Sequence, residues 1–187
     1  MSRRVLIGAA VGAALALLAL APPAFASGLA LRTDHVFKRI AGSDAHLNCS
    51  KLPSRLGAYG VANQELRMWF VLPGLCREAN WFRRHQAAPY TKESFRQALA
   101  LLVMTHESIH LSKTFPGAQS EAQTECLALQ VVHDVAVGLG ASDAVARAIG
   151  HEAMRWDATL PASYRSRACR DGGPRDVHPG LGDWPNA

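Results

Sequence analysis

The chain lacks the features that mark membrane, nucleic-acid-binding and repeat proteins. The apolar run at residues 5–20 is shorter than the roughly 20 residues of a membrane span, and no second long apolar stretch follows it. Lysines and arginines are scattered except for Arg83 and Arg84, and the sequence has no internal repeat. We therefore expect a soluble mature protein with neither a nucleic-acid nor a membrane partner.

The N-terminal region has the pattern of a signal peptide. Arg3 and Arg4 precede the apolar run, and Ala24-Phe25-Ala26 follows it as a small-x-small cleavage sequence. The pattern predicts export, with residues 1–26 removed and residues 27–187 forming a single domain in a secreted or extracytoplasmic protein. An uncleaved N-terminal anchor has the same pattern, and the paired arginines fit twin-arginine export as well as the general route.

The cysteines are few and even in number. No CxxC sequence occurs, which excludes a zinc site made of cysteines alone. Four cysteines in an exported chain predict two disulfides. Three pairings are possible, and proximity in sequence favours Cys49 with Cys76 and Cys126 with Cys169.

The hydrophobic pattern predicts an α+β fold that is mainly helical, with a small sheet. Residues 67–72 are aromatic and β-branched and end at Pro73-Gly74, which is typical of a strand. Residues 36–40 fit a short helix or strand, and residues 77–85 a short helix or loop. From Thr91, a plausible N-cap, a helical stripe begins; it contains Phe95, Leu99, Leu102, His106, Ile109 and His110.

Apolar residues also occupy the opposite side of this helix, so we expect it to run through the middle of the fold. A capping-box pattern at Ser120 and Gln123 predicts a second helix that ends near Leu139. Ser142 caps a third helix that ends near Trp156. The two longer helices then face each other across a short loop, and the tail after Cys169 wraps the surface.

The first long helix carries an HExxH motif, His106-Glu107-Ser108-Ile109-His110. Histidines four residues apart project from one face of a helix, while Glu107 is turned to the flank beside them. Two imidazoles on one face predict a Zn²⁺ site, and a carboxylate beside it predicts a general base for hydrolysis.

The second helix offers further ligands because Glu121 and Glu125 share a stripe with apolar residues that should pack inward. Buried carboxylates need a compensating charge, which a zinc ion held by His106 and His110 would supply. Antiparallel packing favours Glu121 as the third ligand and Glu125 as the acceptor that orients His106, and the reverse assignment remains open. Cys126 is rotated by about 140° from Glu121, which suits a disulfide and not a ligand.

His151-Glu152 begins like the motif but has Arg155 where the second histidine would be, and it predicts a surface helix. The remaining histidines have no partner at ligand spacing and are expected to be solvated or hydrogen-bonded; they are His35, His46, His85, His133 and His178.

The HExxH motif followed by a helix with Glu121 and, four positions on, Glu125 resembles the gluzincin branch of the zincin metallopeptidases. The match covers about residues 91–129, with a shorter link after His110 than most gluzincins use and Glu in place of Asp at position 125. The chain is also similar to small secreted bacterial proteins with an HExxH helix, a Glu-rich helix and a Cys-x-x-Gly-Gly tail, here starting at Cys169.

The resemblance implies a zincin-like fold and a peptide or protein substrate. It implies that the strand at residues 67–72, if it is not an ordinary core strand, forms the edge along which the substrate lies extended. Because gluzincins commonly add a histidine or tyrosine that steadies the oxyanion, Tyr164 is a candidate for that role.

Together the motif and the resemblance predict a secreted zinc metallopeptidase with Glu107 as general base. Two alternatives stay open. One is an inactive zincin-like protein in which zinc serves structure or recognition. The other is an exported interaction module in which His106 and His110 are incidental, and this alternative predicts no stoichiometric zinc.

Overall fold

A computed structural model of the chain describes residues 34–53, 57–85, 94–115 and 120–178. The predicted signal peptide and the predicted N-cap at Thr91 lie outside these residues. The described part is α+β, and its elements in chain order are α1 (Asp34–Ala41), β1 (His46–Cys49), β2 (Gly60–Asn63), β3 (Met68–Val71), α2 (Pro73–Arg84), α3 (Ser94–His110), α4 (Glu121–Gly138), α5 (Asp143–Asp157) and a 3-10 turn (Ala162–Tyr164). None of the described helices has the length and apolar character that crossing a membrane requires.

Local signals in the sequence set the starts of α4 and α5. The Ser120 hydroxyl accepts a hydrogen bond from the Gln123 backbone N–H, and the Ser142 hydroxyl accepts one from the Val145 N–H. Each bond satisfies a backbone donor that the helix itself cannot satisfy. These two predicted caps are confirmed, and the segments that the pattern left undecided form helices α1 and α2.

Helix α3 runs through the centre of the fold, as its two apolar sides predicted. Every residue from 97 to 109 is buried, and α3 packs against all four other described helices and against β2 and β3. Phe95, which the pattern placed on the inward stripe, is 39% exposed because it lies in the first turn, before the buried stretch begins.

The sheet decides between the two interpretations of the strand at residues 67–72 and favours the ordinary core strand. Its strand order is β1-β3-β2, with β1 parallel and β2 antiparallel to β3, so the strand at residues 67–72 is central and not an edge. Strand β2 is the edge that packs against α3. Leu72 N–H donates to the Tyr59 carbonyl (3.1 Å), and because antiparallel pairs alternate, the N–H and C=O groups of Gly60 and Ala62 point away from β3.

Two disulfides join distant segments, with the pairing that proximity favoured. Cys49–Cys76 links β1 to α2, and Cys126–Cys169 links α4 to the segment after the 3-10 turn. Gln130 extends the second link, because its side-chain amide donates to the Arg175 carbonyl and accepts from the Val177 N–H. The tail up to residue 178 therefore lies on α4. Paired cysteines are typical of proteins that mature in an extracytoplasmic, oxidising compartment.

Candidate metal centre

Three ligand atoms converge where the end of α3 meets the start of α4. The Nε2 atoms of His106 and His110 are 3.1 Å apart. Glu121 Oε2 lies 3.0 Å from His106 Nε2 and 3.6 Å from His110 Nε2. All three atoms fall within 4.8 Å of one another, so this group can hold a metal ion.

The spacing fits a tetrahedral metal site. Zinc ligands at roughly 2.0–2.2 Å in tetrahedral geometry lie about 3.3 Å from one another. The three observed separations, between 3.0 and 3.6 Å, bracket this value. Three protein ligands also leave the fourth position open, as hydrolytic sites require. Imidazole and carboxylate donors suit several first-row divalent metals. The geometry therefore identifies the candidate ligands but does not identify the metal.

Glu125 contacts the opposite nitrogen of His106. Its Oε2 lies 2.6 Å from His106 Nδ1, and the residue is only 2% exposed. The contact places a proton on Nδ1, so a metal ion would bind at Nε2, the nitrogen that faces His110 and Glu121. The structure thus brings Glu121 into the ligand group and places Glu125 outside it. Thr124 lies beside the other ligand, with its hydroxyl 3.4 Å from His110 Nδ1.

The carboxylates around His106 keep this histidine protonated. Burial alone would lower the pKa of His106, but its hydrogen bonds to Glu121 and Glu125 outweigh burial and raise that pKa to about 10. The same contacts from His106 and His110 hold the pKa of Glu121 well below its usual range. In the metal-free protein, His106 therefore carries a proton, which a divalent cation would have to displace.

Glu107 lies beside the ligand group beneath the edge strand and is 7% exposed. A Cβ atom at Gly60 would lie 2.7 Å from its Cγ and Oε1 atoms, so only a glycine admits this approach. The Ala62 backbone N–H donates to the Glu107 carboxylate. Burial raises the pKa of Glu107 to about 7, although His106 and His110 act to lower it.

A cleft of about 550 Å³ opens over the ligand group. It lies among β2, α3, the end of α5 and the 3-10 turn, and Glu107 also lines it. The Tyr164 ring stands there with its centroid 6.1 Å from that of His106. Burial, and next to it the charge of Glu121, raise the pKa of the Tyr164 phenol. The phenol therefore keeps its proton and can act as a hydrogen-bond donor in the cleft.

The β2–β3 hairpin anchors the end of α3, a contribution that sequence reasoning missed. The Gln64 side-chain amide donates to the His110 carbonyl (3.1 Å). The Arg67 guanidinium donates to the Leu111 and Ala41 carbonyls and pairs with Asp44. Arg67 has a positive φ of 51°, a backbone conformation that could not be predicted from its residue type. The sequence Gly57-Ala58-Tyr59-Gly60 was the one visible signal, and its glycines did not reveal that Gly60 lies against Glu107.

The other candidates lie apart from this centre. Cys126 is in its disulfide and not in the ligand group. His133 is held by Asp134 and Asp143 at the surface. The prediction of a surface helix at His151-Glu152 is half wrong, because His151 is exposed but Glu152 is buried and pairs with Arg155. Within the described ranges, no second set of three ligand atoms converges.

The chain was compared with protein-family models, curated proteins and solved structures, and none of them matches it. A function is therefore inferred from the residues and geometry of the site and not from kinship.

Proposed function

We propose that the protein is a zinc-dependent metallopeptidase that acts outside the cytoplasm. The observation that carries this proposal is the convergence of three ligand atoms at tetrahedral spacing beside a separate buried carboxylate, that of Glu107. A purely structural zinc site has four protein ligands and needs no adjacent base. The resemblance of the motif to gluzincins supports the same function.

In this proposal His106, His110 and Glu121 hold the zinc ion. Glu125 fixes the ring of His106 and its tautomer through the 2.6 Å contact at Nδ1. Zinc, when bound, lowers the pKa of water toward neutrality and polarises the carbonyl group to be attacked.

Glu107 is the general base. Its carboxylate accepts a proton from the attacking water and passes it to the leaving amine. The Ala62 N–H holds this carboxylate in place, and the Tyr164 phenol donates to the oxygen that gains negative charge. The substrate lies extended along β2, where the outward N–H and C=O groups of Gly60 and the outward C=O group of Ala62 supply backbone hydrogen bonds.

The test uses full-length protein matured in an oxidising compartment. Elemental analysis should find about one zinc per chain, and a broad peptide library should be hydrolysed. Glu107→Gln should keep its zinc and lose turnover by about 10²–10⁴-fold, the usual contribution of a general base. The matched variant Glu152→Gln changes a buried glutamate outside the cleft and should retain activity.

Two results would contradict the proposal. Unchanged hydrolysis by zinc-loaded Glu107→Gln would show that Glu107 is not the general base. Stoichiometric zinc without hydrolysis of any library member would favour the inactive zincin-like protein.

A further inference from the structure

The cleft over the metal centre has two chemically different ends. Strand β2 is aligned with α3, because Ala62 donates to Glu107 and Gln64 donates to the His110 carbonyl further along. The Gln64 end is polar and contains His110 and Glu121. The opposite end, beside Tyr59, is apolar. It is lined by Trp156, which contacts Tyr59, and by Leu102 and Val103, which lie one turn before His106 on α3.

The apolar end is shaped by two aromatic side chains. The rings of Tyr59 and Trp156 meet edge to face, with centroids 6.0 Å apart, and so join the strand side of the cleft to the α5 side. Leu102 and Val103 of α3 form an apolar floor. Tyr59 remains 46% exposed, which leaves aromatic surface in contact with water. Such a surface over an apolar floor favours a bulky apolar side chain of a ligand.

The charges in the cleft restrict the ligand further. The charged side chains among its described lining residues are Glu107, Glu121 and Glu125, and this lining includes no lysine or arginine. Recognition of a terminal carboxylate or an acidic side chain generally uses such a cation. The lining therefore disfavours removal of C-terminal residues and cleavage beside Asp or Glu.

We propose, resting on the proposed peptidase function, that the substrate is an internal polypeptide segment with a bulky apolar residue next to the scissile bond. That side chain is seated at the Tyr59–Trp156 end, while the peptide backbone follows β2 past Glu107. The enzyme is then an endopeptidase with apolar specificity.

The experiment uses internally quenched peptides blocked at both ends, identical except for Phe, Ala or Asp at one position, with cleavage sites read by mass spectrometry. The Phe peptide should be cleaved beside Phe with a kcat/KM at least about tenfold above that of the Ala peptide, and the Asp peptide should be slowest. Trp156→Ala should lower the preference for Phe over Ala about tenfold at unchanged zinc content. The control Trp81→Ala removes a tryptophan on α2 that stacks on His85, and it should change neither value.

Three results would overturn the inference without contradicting the peptidase function. They are cleavage without preference for Phe, preference for basic residues, and a requirement for a free C-terminus. Absence of cleavage by zinc-loaded protein would contradict the proposed function itself. In that case, calorimetry measures the affinities of the Phe and Ala peptides for zinc-loaded Glu107→Gln. This measurement tests recognition of the apolar side chain independently of catalysis. Tighter binding of Phe supports the inference, and equal affinities overturn it.

Discussion

Two helices of this protein contain a His-Glu pair, but only one of them has the second histidine of the HExxH motif. His106-Glu107 on α3 is completed by His110, whereas His151-Glu152 on α5 is followed by Arg155. Both glutamates are buried, at 7% and 8% exposure. Glu152 pairs with Arg155 at 2.7 Å within its own helix. Glu107 instead faces two histidines and a backbone N–H of the edge strand.

The difference shows that a buried glutamate beside a histidine does not by itself make a site. On α5 the carboxylate is neutralised by a local cation, and the neighbouring His151 points to solvent. On α3 the positive charge beside Glu107 comes from His106, which carries a proton in the metal-free protein. Glu121 adds a further carboxylate to that position, and with His106 and His110 it forms a group that can hold a metal ion.

The largest contrast should follow removal of the first histidine of each motif. His106→Ala should weaken zinc binding about a thousandfold, because one of three ligands supplies about a third of a binding free energy on the order of 10–16 kcal/mol. His151→Ala should bind zinc as the unmodified protein does. Competition with a chromophoric chelator measures both affinities. Equal losses in the two variants would contradict the assignment of the site.

Gly60 on β2 and Gly150 on α5 should also respond differently to substitution by alanine. Gly60→Ala places a methyl group 2.7 Å from Glu107 Oε1 and should lower turnover by up to about a hundredfold, since a misplaced base reacts poorly. Gly150→Ala meets no atom within 4 Å and should stabilise α5 by about 0.5–1 kcal/mol. Steady-state kinetics and thermal melts check the pair. Full turnover in Gly60→Ala would show that Glu107 tolerates displacement.

A third contrast compares two buried carboxylates, that of Glu125 beside His106 and that of Glu152 on α5. Glu125→Ala should reduce zinc affinity about 10- to 100-fold, the usual cost of losing the partner that orients a ligating histidine. Glu125→Gln should lose less, because its carbonyl can still accept from His106 Nδ1. Glu152→Ala should leave zinc affinity unchanged. An unaffected affinity in Glu125→Ala would mean that the contact is not needed for binding.

The last prediction concerns the pH dependence of zinc binding, which changes by about tenfold for each pH unit. The pKa of His106 in the metal-free fold is about 10, above its ordinary value of 6.5. Its pairing with Glu121 and Glu125 therefore stabilises the metal-free protein in full below pH 6.5 and is lost as the pH rises through 10.

Zinc must displace this proton throughout that window, so its affinity should rise about tenfold per pH unit between pH 6 and 8. Chelator competition at several pH values measures the slope, and His151→Ala should give the same slope. A flat profile would show that His106 is neutral before zinc binds.

Most of the helices could be predicted from local sequence patterns. The caps at Ser120 and Ser142 follow from short-range chemistry, and the central position of α3 follows from hydrophobic periodicity. The disulfide pairing is the one of three possible pairings that proximity in sequence favoured. The sheet could be predicted less completely. Strand β2 is four residues long and lacks an alternating pattern, and strand order depends on long-range pairing that no local signal encodes.

The sequence by itself determined that His106 and His110 share one face of a helix and that Glu107 lies beside them, because the helical repeat fixes these directions. Only the tertiary structure decided that Glu121 joins the two histidines, that Glu125 contacts the other nitrogen of His106, and that Gly60 and Ala62 lie over Glu107. The physical reason is that these contacts join separate elements. Their geometry depends on how helices and the edge strand pack, and residue spacing along the chain does not specify that packing.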